Sequence, residues 1–148
     1  MNKVLYSSKE TAWGTPQWLF DKLDAEFHFD LDAAASSDNA KVKDYYDKNL
    51  DGLKQDWSNG HHCVWLNPPY GRDIYRWVEK AYNESHVGGV KVVALLPSRT
   101  DTRWFHDFIY GKAEIRFVKG RLKFTDKSGK EQNNATFPSM IVIWEGRT

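Results

Sequence analysis

Cysteine and long apolar runs are the features that this sequence lacks. Only Cys63 is a cysteine, which excludes an internal disulfide. No stretch approaches the roughly 18 apolar residues that cross a membrane, and the polar residues 1–10 contain no apolar core of a secretion signal. These absences predict a soluble protein of the cytoplasm that has no membrane partner.

Internal repeats, low-complexity linkers and metal-ligand spacing are absent as well. The chain has the length of one domain, so residues 1–148 are expected to fold as a single unit. His61, His62 and Cys63 are adjacent in the sequence, and three neighbouring residues cannot easily face one ion. We therefore expect no metal site.

Charge is nearly balanced overall but not along the chain. The net charge is +1, whereas residues 1–60 carry 7 basic and 11 acidic side chains and residues 61–148 carry 14 and 9. The asymmetry is compatible with two working surfaces, one of them suited to a polyanion. Ordinary variation of surface charge explains it equally well, so charge alone does not identify a partner.

Apolar residues recur with helical spacing in some segments and strand spacing in others. Thr15 and Pro16 predict a helix start, with Thr15 as the cap and Pro16 in the first helical position. Residues 27–32 alternate as in a strand, and residues 127–134 predict a turn. Further strands are predicted over 63–66, 90–96, 113–118 and 140–144, and further helices near 73–85 and 104–109. Alternating strands and helices predict an α/β fold with a mostly parallel sheet.

Two polar segments follow predicted strands. They begin at Asp32 and at Asn67, and ligands of parallel sheets bind at the carboxyl ends of the strands. We therefore expect these two segments to be neighbours in the folded protein.

The second of these segments, Asn67-Pro68-Pro69-Tyr70, has a composition suited to a planar amine. The prolines fix φ and donate no backbone hydrogen bond, so they hold a stiff segment whose carbonyl groups point outward. The Asn67 side-chain oxygen and the Pro68 carbonyl can accept both hydrogens of a ring amino group, which frees the nitrogen lone pair to attack. Tyr70 offers a face for stacking, and a base inside a duplex must be flipped out to reach such a pocket. The alternative is a proline turn that ends a strand above a buried tyrosine.

Asn67 to Tyr70 matches the catalytic motif of amino-methyltransferases, which act on N6 of adenine, N4 of cytosine or a glutamine amide. Over roughly residues 13–144 the chain resembles the phage-type Dam-like DNA N6-adenine methyltransferases. The other segments that carry the resemblance are Trp13-Gly14-Thr15-Pro16, Phe29 to Ser36, Asn39-Ala40-Lys41, Asp51-Gly52-Leu53, Asp56-Trp57, Leu96-Pro97-Ser98-Arg99, Gly120 to Phe124 and Phe137-Pro138-Ser139.

The resemblance implies the fold, the cofactor and the substrate. The fold would be the Rossmann-like class I fold of methyltransferases that use S-adenosylmethionine (AdoMet), with a mostly parallel sheet, helices on both faces and an antiparallel C-terminal strand. AdoMet would donate the methyl group and double-stranded DNA would accept it, in the cytoplasm of a bacterial host of the phage or prophage.

The resemblance also implies which residues hold AdoMet. Asp32 is expected to meet the cationic amino group of the cofactor, and Asp30 has the same strand parity and could share that face. Thr15 and the free amides of the following helix are expected to receive the carboxylate. Asp56 would accept from the cofactor's adenine amine, and Asp51 is a weaker candidate for the ribose. The remaining residues expected beside the cofactor are Trp13, Pro16 and Ala33.

Each of these aspartates could equally be a solvated carboxylate or a helix cap. Ala33 to Ser36 stands where related folds often carry a glycine-rich loop. The absence of that dinucleotide fingerprint argues against a nicotinamide enzyme.

No target-recognition domain fits between Asp32 and Asn67, so sequence recognition is expected from loops or from the chain after Leu96. Residues 112–130 carry 7 basic and 2 acidic side chains, a segment suited to phosphates, although a solvated loop would look the same. The side chains expected on DNA are Arg121, Lys123 and Lys127, with Arg72, Arg99 and Arg103 as a second basic surface.

Two other functions stay open at this point. A protein-glutamine methyltransferase would use the same chemistry on another planar amide, and a non-catalytic DNA-binding module would keep the fold without the reaction. The basic second half favours DNA over a protein substrate, and the intact Asn67 to Tyr70 motif argues against a decayed enzyme.

Overall fold

The computed structural model describes residues 14–126 and 128–147. The helices are α1 (Gln17–Phe27), α2 (Ile74–His86) and α3 (Arg103–Phe108), with a short 3₁₀ helix at Gly52–Lys54. The strands are β1 (Leu31–Asp32), β2 (Cys63–Leu66), β3 (Lys91–Pro97), β4 (Glu114–Phe117), β5 (Lys123–Thr125), β6 (Glu131–Asn134) and β7 (Ser139–Trp144).

Five strands form one mixed sheet in the order β1-β2-β3-β7-β4, while β5 and β6 form a separate two-stranded sheet. β1, β2 and β3 pair in parallel, and β7 is antiparallel to both of its neighbours. The antiparallel C-terminal strand that the resemblance implies is present as β7. The prediction of a mostly parallel sheet is wrong, because β7 makes two of the four pairings antiparallel. The chain passes from β3 through α3 to β4, and β4 is not adjacent to β3 in the sheet. β7 occupies the position between them and runs antiparallel to both. An insertion of this kind leaves no trace in local sequence periodicity.

Helices cover both faces of the sheet, as the sequence predicts. On β3, Val92, Ala94 and Leu96 face α2 and α3, whereas Val93 and Leu95 face α1 and the β5–β6 hairpin. β3 is therefore apolar at nearly every position, which is the pattern of a strand buried on both faces.

Three local predictions are corrected by the structure. α1 begins at Gln17 with Pro16 as its N-cap residue, and no side chain of the described residues caps it, so Thr15 has another role. The predicted strand over 27–32 shortens to Leu31–Asp32, because α1 continues to Phe27 and His28 then takes a left-handed conformation with φ of 57°. Glu131–Asn134 is a strand rather than part of a turn. In the described part of the chain, none of the helices has the length and apolar character needed to cross a membrane.

Candidate active site

The carboxyl ends of β1, β2 and β3 meet at one edge of the sheet and bring the two polar segments together. Asp32 pairs with Trp65 in the parallel register, and the Ala33 amide donates to the Trp65 carbonyl at 3.0 Å. Asn67 begins the next segment directly after β2. The expected neighbourhood of Asp32 and the Asn67 to Tyr70 motif is therefore present.

Asn67 is oriented by the segment that precedes α1. Its side-chain nitrogen donates to the Thr15 hydroxyl oxygen at 3.0 Å, and Thr15 is buried. Since this bond uses the NH₂ end of the amide, the opposite end, Oδ1, is the acceptor end. Thr15 thus positions a catalytic candidate, a contact between residues 52 positions apart that no local pattern reveals.

Tyr70 lies inside the protein rather than on its surface. Its side chain is 7% exposed, and its hydroxyl donates to the Leu95 carbonyl at 2.9 Å. Burial raises the pKa of the Tyr70 hydroxyl, which keeps it neutral. Phe124 and Phe137 meet the ring nearly edge-on, with centroid distances of 6.2 and 5.8 Å. Neither the hydroxyl bond nor the contact with Phe137 can be predicted from the local sequence, because both partners are distant in the chain.

The β5–β6 hairpin pairs with the segment that precedes α1. Gly14 and Thr125 exchange two backbone hydrogen bonds of 3.0 and 2.9 Å. A Cβ at position 14 would lie 2.2 Å from the Thr125 hydroxyl oxygen, so the close approach requires glycine. The segment that orients Asn67 through Thr15 is therefore also a strand partner of β5.

Asp32 is a buried carboxylate surrounded by backbone. It is 3% exposed, and it accepts from the amides of Lys41 at 3.0 Å and Ala34 at 3.4 Å. Burial raises the pKa of Asp32 to about 7, and the two amide bonds together with the attraction of the Lys41 ammonium only partly oppose that shift. A cation beside Asp32 would relieve this cost.

Asp51 and Asp56 lie on turns that contact the end of β1. Asp51 has a φ of 57° and accepts from the Leu53 amide, and a Cβ at Gly52 would lie 2.1 Å from the Ala33 carbonyl oxygen. The Trp57 indole donates to the Gly52 carbonyl at 2.7 Å, which ties the Asp56 turn to the Asp51 turn. The Asp51 turn thus contacts Ala33 directly and the Asp56 turn is joined to it through Trp57, while the exposed Asp56 carboxylate accepts from the amide and the hydroxyl of Ser58 at 3.0 and 2.6 Å.

Asp30 lies apart from Asp32. Its carboxylate accepts from the amides of His62 at 2.8 Å and Cys63 at 3.1 Å, at the amino end of β2. Residues two positions apart in a strand point to the same face of the sheet, but they need not reach the same end of the neighbouring strand. Asp30 reaches the amino end of β2, whereas Asp32 pairs with Trp65. Trp13 and Lys127 lie outside the described residues.

The imidazole of His61 is engaged with other partners. His61 Nδ1 lies 3.2 Å from the Trp57 carbonyl oxygen, and Nε2 lies 3.6 Å from an Asp44 carboxylate oxygen. Within residues 14–126 and 128–147, no three His, Cys, Asp or Glu side chains are grouped as a metal site would need.

Both predicted basic surfaces border the Asn67 to Tyr70 motif. Arg121 and Lys123 are exposed on the hairpin, and Arg72 is exposed directly after the motif. Arg99 lies over the Phe137 ring at 5.9 Å, and Phe137 in turn contacts Tyr70. Arg103 stacks more closely, at 4.9 Å over the Tyr75 ring.

Comparison with known proteins connects this site to one family. A family model described as DNA N-6-adenine-methyltransferase (Dam) matches residues 3–148. The DNA N-6-adenine-methyltransferase of Haemophilus phage HP1 is 32% identical over 142 residues, which cover 93% of this chain and 80% of that protein. The DNA N-6-adenine-methyltransferase of Escherichia phage T1 is 36% identical over 112 residues, 74% of this chain and 45% of that protein. The chain therefore belongs to the DNA N-6-adenine-methyltransferase (Dam) family.

Proposed function

We propose that this protein transfers a methyl group from AdoMet to the exocyclic N6 amine of adenine in DNA. The observation that carries the proposal is the position of Asn67 to Tyr70 at the carboxyl end of β2, next to the strand end that carries the buried Asp32, which pairs with Trp65. Family membership supports the reaction and the substrate, and a methyltransferase family implies AdoMet as donor. The described strands and helices are compatible with a shortened Rossmann-like methyltransferase domain over residues 1–148.

The residues around Asp32 fit the methionine part of AdoMet. A buried carboxylate whose pKa is near 7 gains most from a cationic partner, and the cofactor's amino group is such a cation. The Thr15 hydroxyl accepts from Asn67, so its own proton can be donated to the cofactor's carboxylate, assisted by the first amides of α1. The bound cofactor supplies an electrophilic methyl group.

The remaining cofactor contacts are proposed from position. Ala33 and Pro16 would form the walls of the site, since both are buried next to Asp32 and Thr15 respectively. Asp51 would hold the ribose hydroxyls, and the exposed Asp56 would accept from the adenine amine of the cofactor. Asp30 is not part of the proposed site, because its carboxylate binds two amides at the start of β2.

The target amine would be held by Asn67 and Pro68. Asn67 Oδ1 and the Pro68 carbonyl would each accept one hydrogen of the amine, so that its lone pair is no longer delocalised into the ring and can attack. The chain rigidity that Pro68 and Pro69 impose keeps these two acceptors in place before the base arrives. The base would have to be flipped out of the duplex and would meet the Tyr70 side of the pocket.

Double-stranded DNA would lie across the basic residues that border this pocket. Arg121 and Lys123 on one side and Arg72, Arg99 and Arg103 on the other are proposed to contact phosphates. Lys127, which lies outside the described residues, is proposed as a further phosphate contact from its place in the sequence alone. Because the relatives are phage proteins, we propose that the reaction takes place in the cytoplasm of a bacterial host.

Two variants test the assignment of cofactor and catalytic residues separately. With unmethylated DNA and methyl-labelled AdoMet, Asn67→Ala should lower the transfer rate by about 10²- to 10³-fold, by analogy with the loss of one preorganised polar group. Calorimetry should show nearly unchanged AdoMet binding in Asn67→Ala. Asp32→Ala should bind AdoMet about tenfold to a hundredfold more weakly.

Four outcomes would overturn these assignments. Near-normal turnover of Asn67→Ala would remove Asn67 from the reaction, and normal AdoMet binding by a folded Asp32→Ala would make Asp32 structural. Methylation of a release-factor-like protein instead of DNA would identify a glutamine methyltransferase. DNA binding without AdoMet binding would identify a non-catalytic module.

A further inference from the structure

We propose that the β5–β6 hairpin enters the major groove beside the target adenine and that the amide side chains of Gln132, Asn133 and Asn134 read base edges there. This inference rests on the proposed function and adds the element that selects the DNA sequence. It concerns residues outside the proposed cofactor and catalytic groups.

The hairpin packs against the proposed base pocket. Leu122, Phe124 and Ala135 are buried in the core, and the Phe124 ring contacts the Tyr70 ring. The Ala135 amide donates to the Leu122 carbonyl at 2.9 Å, and Gly14 pairs with Thr125 at the other end of β5. A reading element must have a fixed distance to the flipped base, and these contacts supply it.

The outer strand of the hairpin is fully presented to solvent. All four residues of β6 are exposed, and β6 belongs to a two-stranded sheet that is separate from the main sheet. The major groove of B-DNA admits a two-stranded ribbon of this kind. The hairpin therefore has a suitable shape as well as a suitable position.

The side chains of β6 are suited to hydrogen bonding with bases but have a low propensity for strands. Asn is a poor strand former, so two consecutive asparagines do not serve the stability of β6. Asn and Gln are the residues that form paired hydrogen bonds with N6 and N7 of adenine in the major groove. We therefore expect the recognised sequence to contain an adenine that the hairpin contacts.

The pairing of the hairpin contains an extra residue in β6. Lys123 is opposite Asn134 and Thr125 is opposite Glu131, so three steps along β6 match two steps along β5. Such a bulge bends a strand and changes the direction of its side chains, and bulges are frequent next to functional sites. Here the irregularity falls within the Gln132 to Asn134 segment.

Charges on the hairpin favour a polyanion. Arg121, Lys123 and Lys130 are exposed basic residues around the two strands. Of the two acidic residues, Asp126 accepts from the amides of Ser128 and Lys130 within the turn, and Glu131 lies 4.0 Å from the Lys123 ammonium. The basic side chains would position the ribbon on phosphates while the amides read bases.

The experiment compares sequence choice rather than activity alone. N6-methyladenine is mapped by single-molecule sequencing on unmethylated plasmid DNA treated with the full chain or with Gln132→Ser, Asn133→Ser, Asn134→Ser and the triple variant. Loss of a paired base contact should lower kcat/KM at the preferred site by about tenfold to a hundredfold. Sites that differ by one base should change little, so the set of methylated sequences should broaden.

Two controls separate base reading from other effects. Asn83→Ser replaces an exposed amide in the C-terminal half of α2, outside the hairpin, and should leave the set of methylated sequences unchanged. AdoMet affinity and the salt dependence of DNA binding should be the same in the hairpin variants as in the unaltered protein. The single variants keep the test valid if the triple variant does not fold.

An unchanged sequence preference in folded hairpin variants would overturn this inference while leaving the proposed function intact. An unaltered protein that methylates no adenine would overturn both. A uniform loss of activity at all sequences would show that the hairpin supports the fold or phosphate binding and reads no bases.

Discussion

At the scale of single residues, the site depends on side chains that have two partners at once. Thr15 contacts Asn67 and lies at the entrance to α1, and Tyr70 follows two prolines yet anchors its hydroxyl on Leu95 of the next strand. The Asn67 to Tyr70 segment is therefore fixed to its surroundings at both ends. Such second contacts are the supporting shell that keeps a reactive geometry in place.

Tyr70→Phe should separate the stabilising role of the tyrosine from its catalytic role. The Leu95 carbonyl would lose its donor inside the core, so we expect the free energy of unfolding to fall by about 0.5–1.5 kcal/mol. Methyl transfer measured below the unfolding transition should change little, because the ring remains.

Tyr70→Ala is the comparison, since it also removes the ring and should weaken binding of a flipped base by about 1–3 kcal/mol. A Tyr70→Phe variant that is as stable as the unaltered protein but inactive would show that the hydroxyl takes part in the reaction.

At the scale of structural elements, the 3₁₀ turn at Gly52–Lys54 supports the end of β1. A Cβ at Gly52 would meet the Ala33 carbonyl oxygen at 2.1 Å and the Trp77 ring at 3.0 Å. Neither atom belongs to a flexible side-chain end. The turn and the proposed cofactor site are thus in direct contact through backbone.

Gly52→Ala should therefore destabilise the protein and disturb AdoMet binding together. We expect a loss of about 1–3 kcal/mol in the free energy of unfolding, the usual cost of overpacking, and weaker AdoMet binding by calorimetry. Gly60→Ala is the control, because a Cβ there meets nothing within 4 Å although φ is +80°. Equal AdoMet affinity in the two variants would show that the turn does not shape the cofactor site.

The two basic surfaces proposed to contact DNA are the β5–β6 hairpin region and the loops after β2 and β3, which carry Arg72, Arg99 and Arg103. Each phosphate contact contributes about −0.9 to the slope of log affinity against log salt concentration on duplex DNA. Replacement of Arg121, Lys123 and Lys127 with alanine should flatten that slope by up to roughly 2–3 units, with AdoMet affinity unchanged.

The matched variant replaces Arg72, Arg99 and Arg103 in the same way. Fluorescence titrations at several salt concentrations would measure both slopes. A slope that changes only in the second variant would place the duplex across the loops after β2 and β3 and away from the hairpin.

At the scale of the whole molecule, Asp32 couples stability to pH and to the cofactor. Its folded-state pKa of about 7 lies above the value of about 3.9 in an unfolded chain. Between these values the folded protein binds more protons than the unfolded one, so its stability falls as pH rises through this window. Above pH 7 this shift lowers the free energy of unfolding by on the order of 4 kcal/mol, relative to an aspartate whose pKa does not change on folding.

We therefore expect the cofactor-free protein to lose stability from about pH 4 to pH 7 relative to Asp32→Ala, whose unfolding lacks this titration. The affinity for AdoMet should instead increase as the pH rises to about 7, because the cofactor's amino group favours the ionised Asp32 carboxylate. Denaturant unfolding and calorimetry over this range would measure the two effects. Parallel pH profiles for the unaltered protein and Asp32→Ala would contradict the buried, proton-binding state of Asp32.

Much of this architecture follows from local sequence pattern. The apolar runs of β2, β3 and β7, the helical spacing of α2 and the stiff Asn67 to Tyr70 segment each depend on neighbours in the chain, and each is where the sequence predicts it. Because parallel strands present their carboxyl ends at one edge, the nearness of Asp32 and Asn67 could also be predicted.

Only the tertiary structure decided the contacts between distant segments. Packing between elements determines the insertion of β7 between β3 and β4, the bond from Asn67 to Thr15 and the bond from Tyr70 to Leu95. It also places the Asp30 carboxylate at the amino end of β2. β6 is the clearest case, because its polar residues have turn-like composition and become a strand only through pairing with β5. Local propensity fixes the conformation that each segment prefers alone, whereas pairing and burial supply the larger free energies that choose its partners.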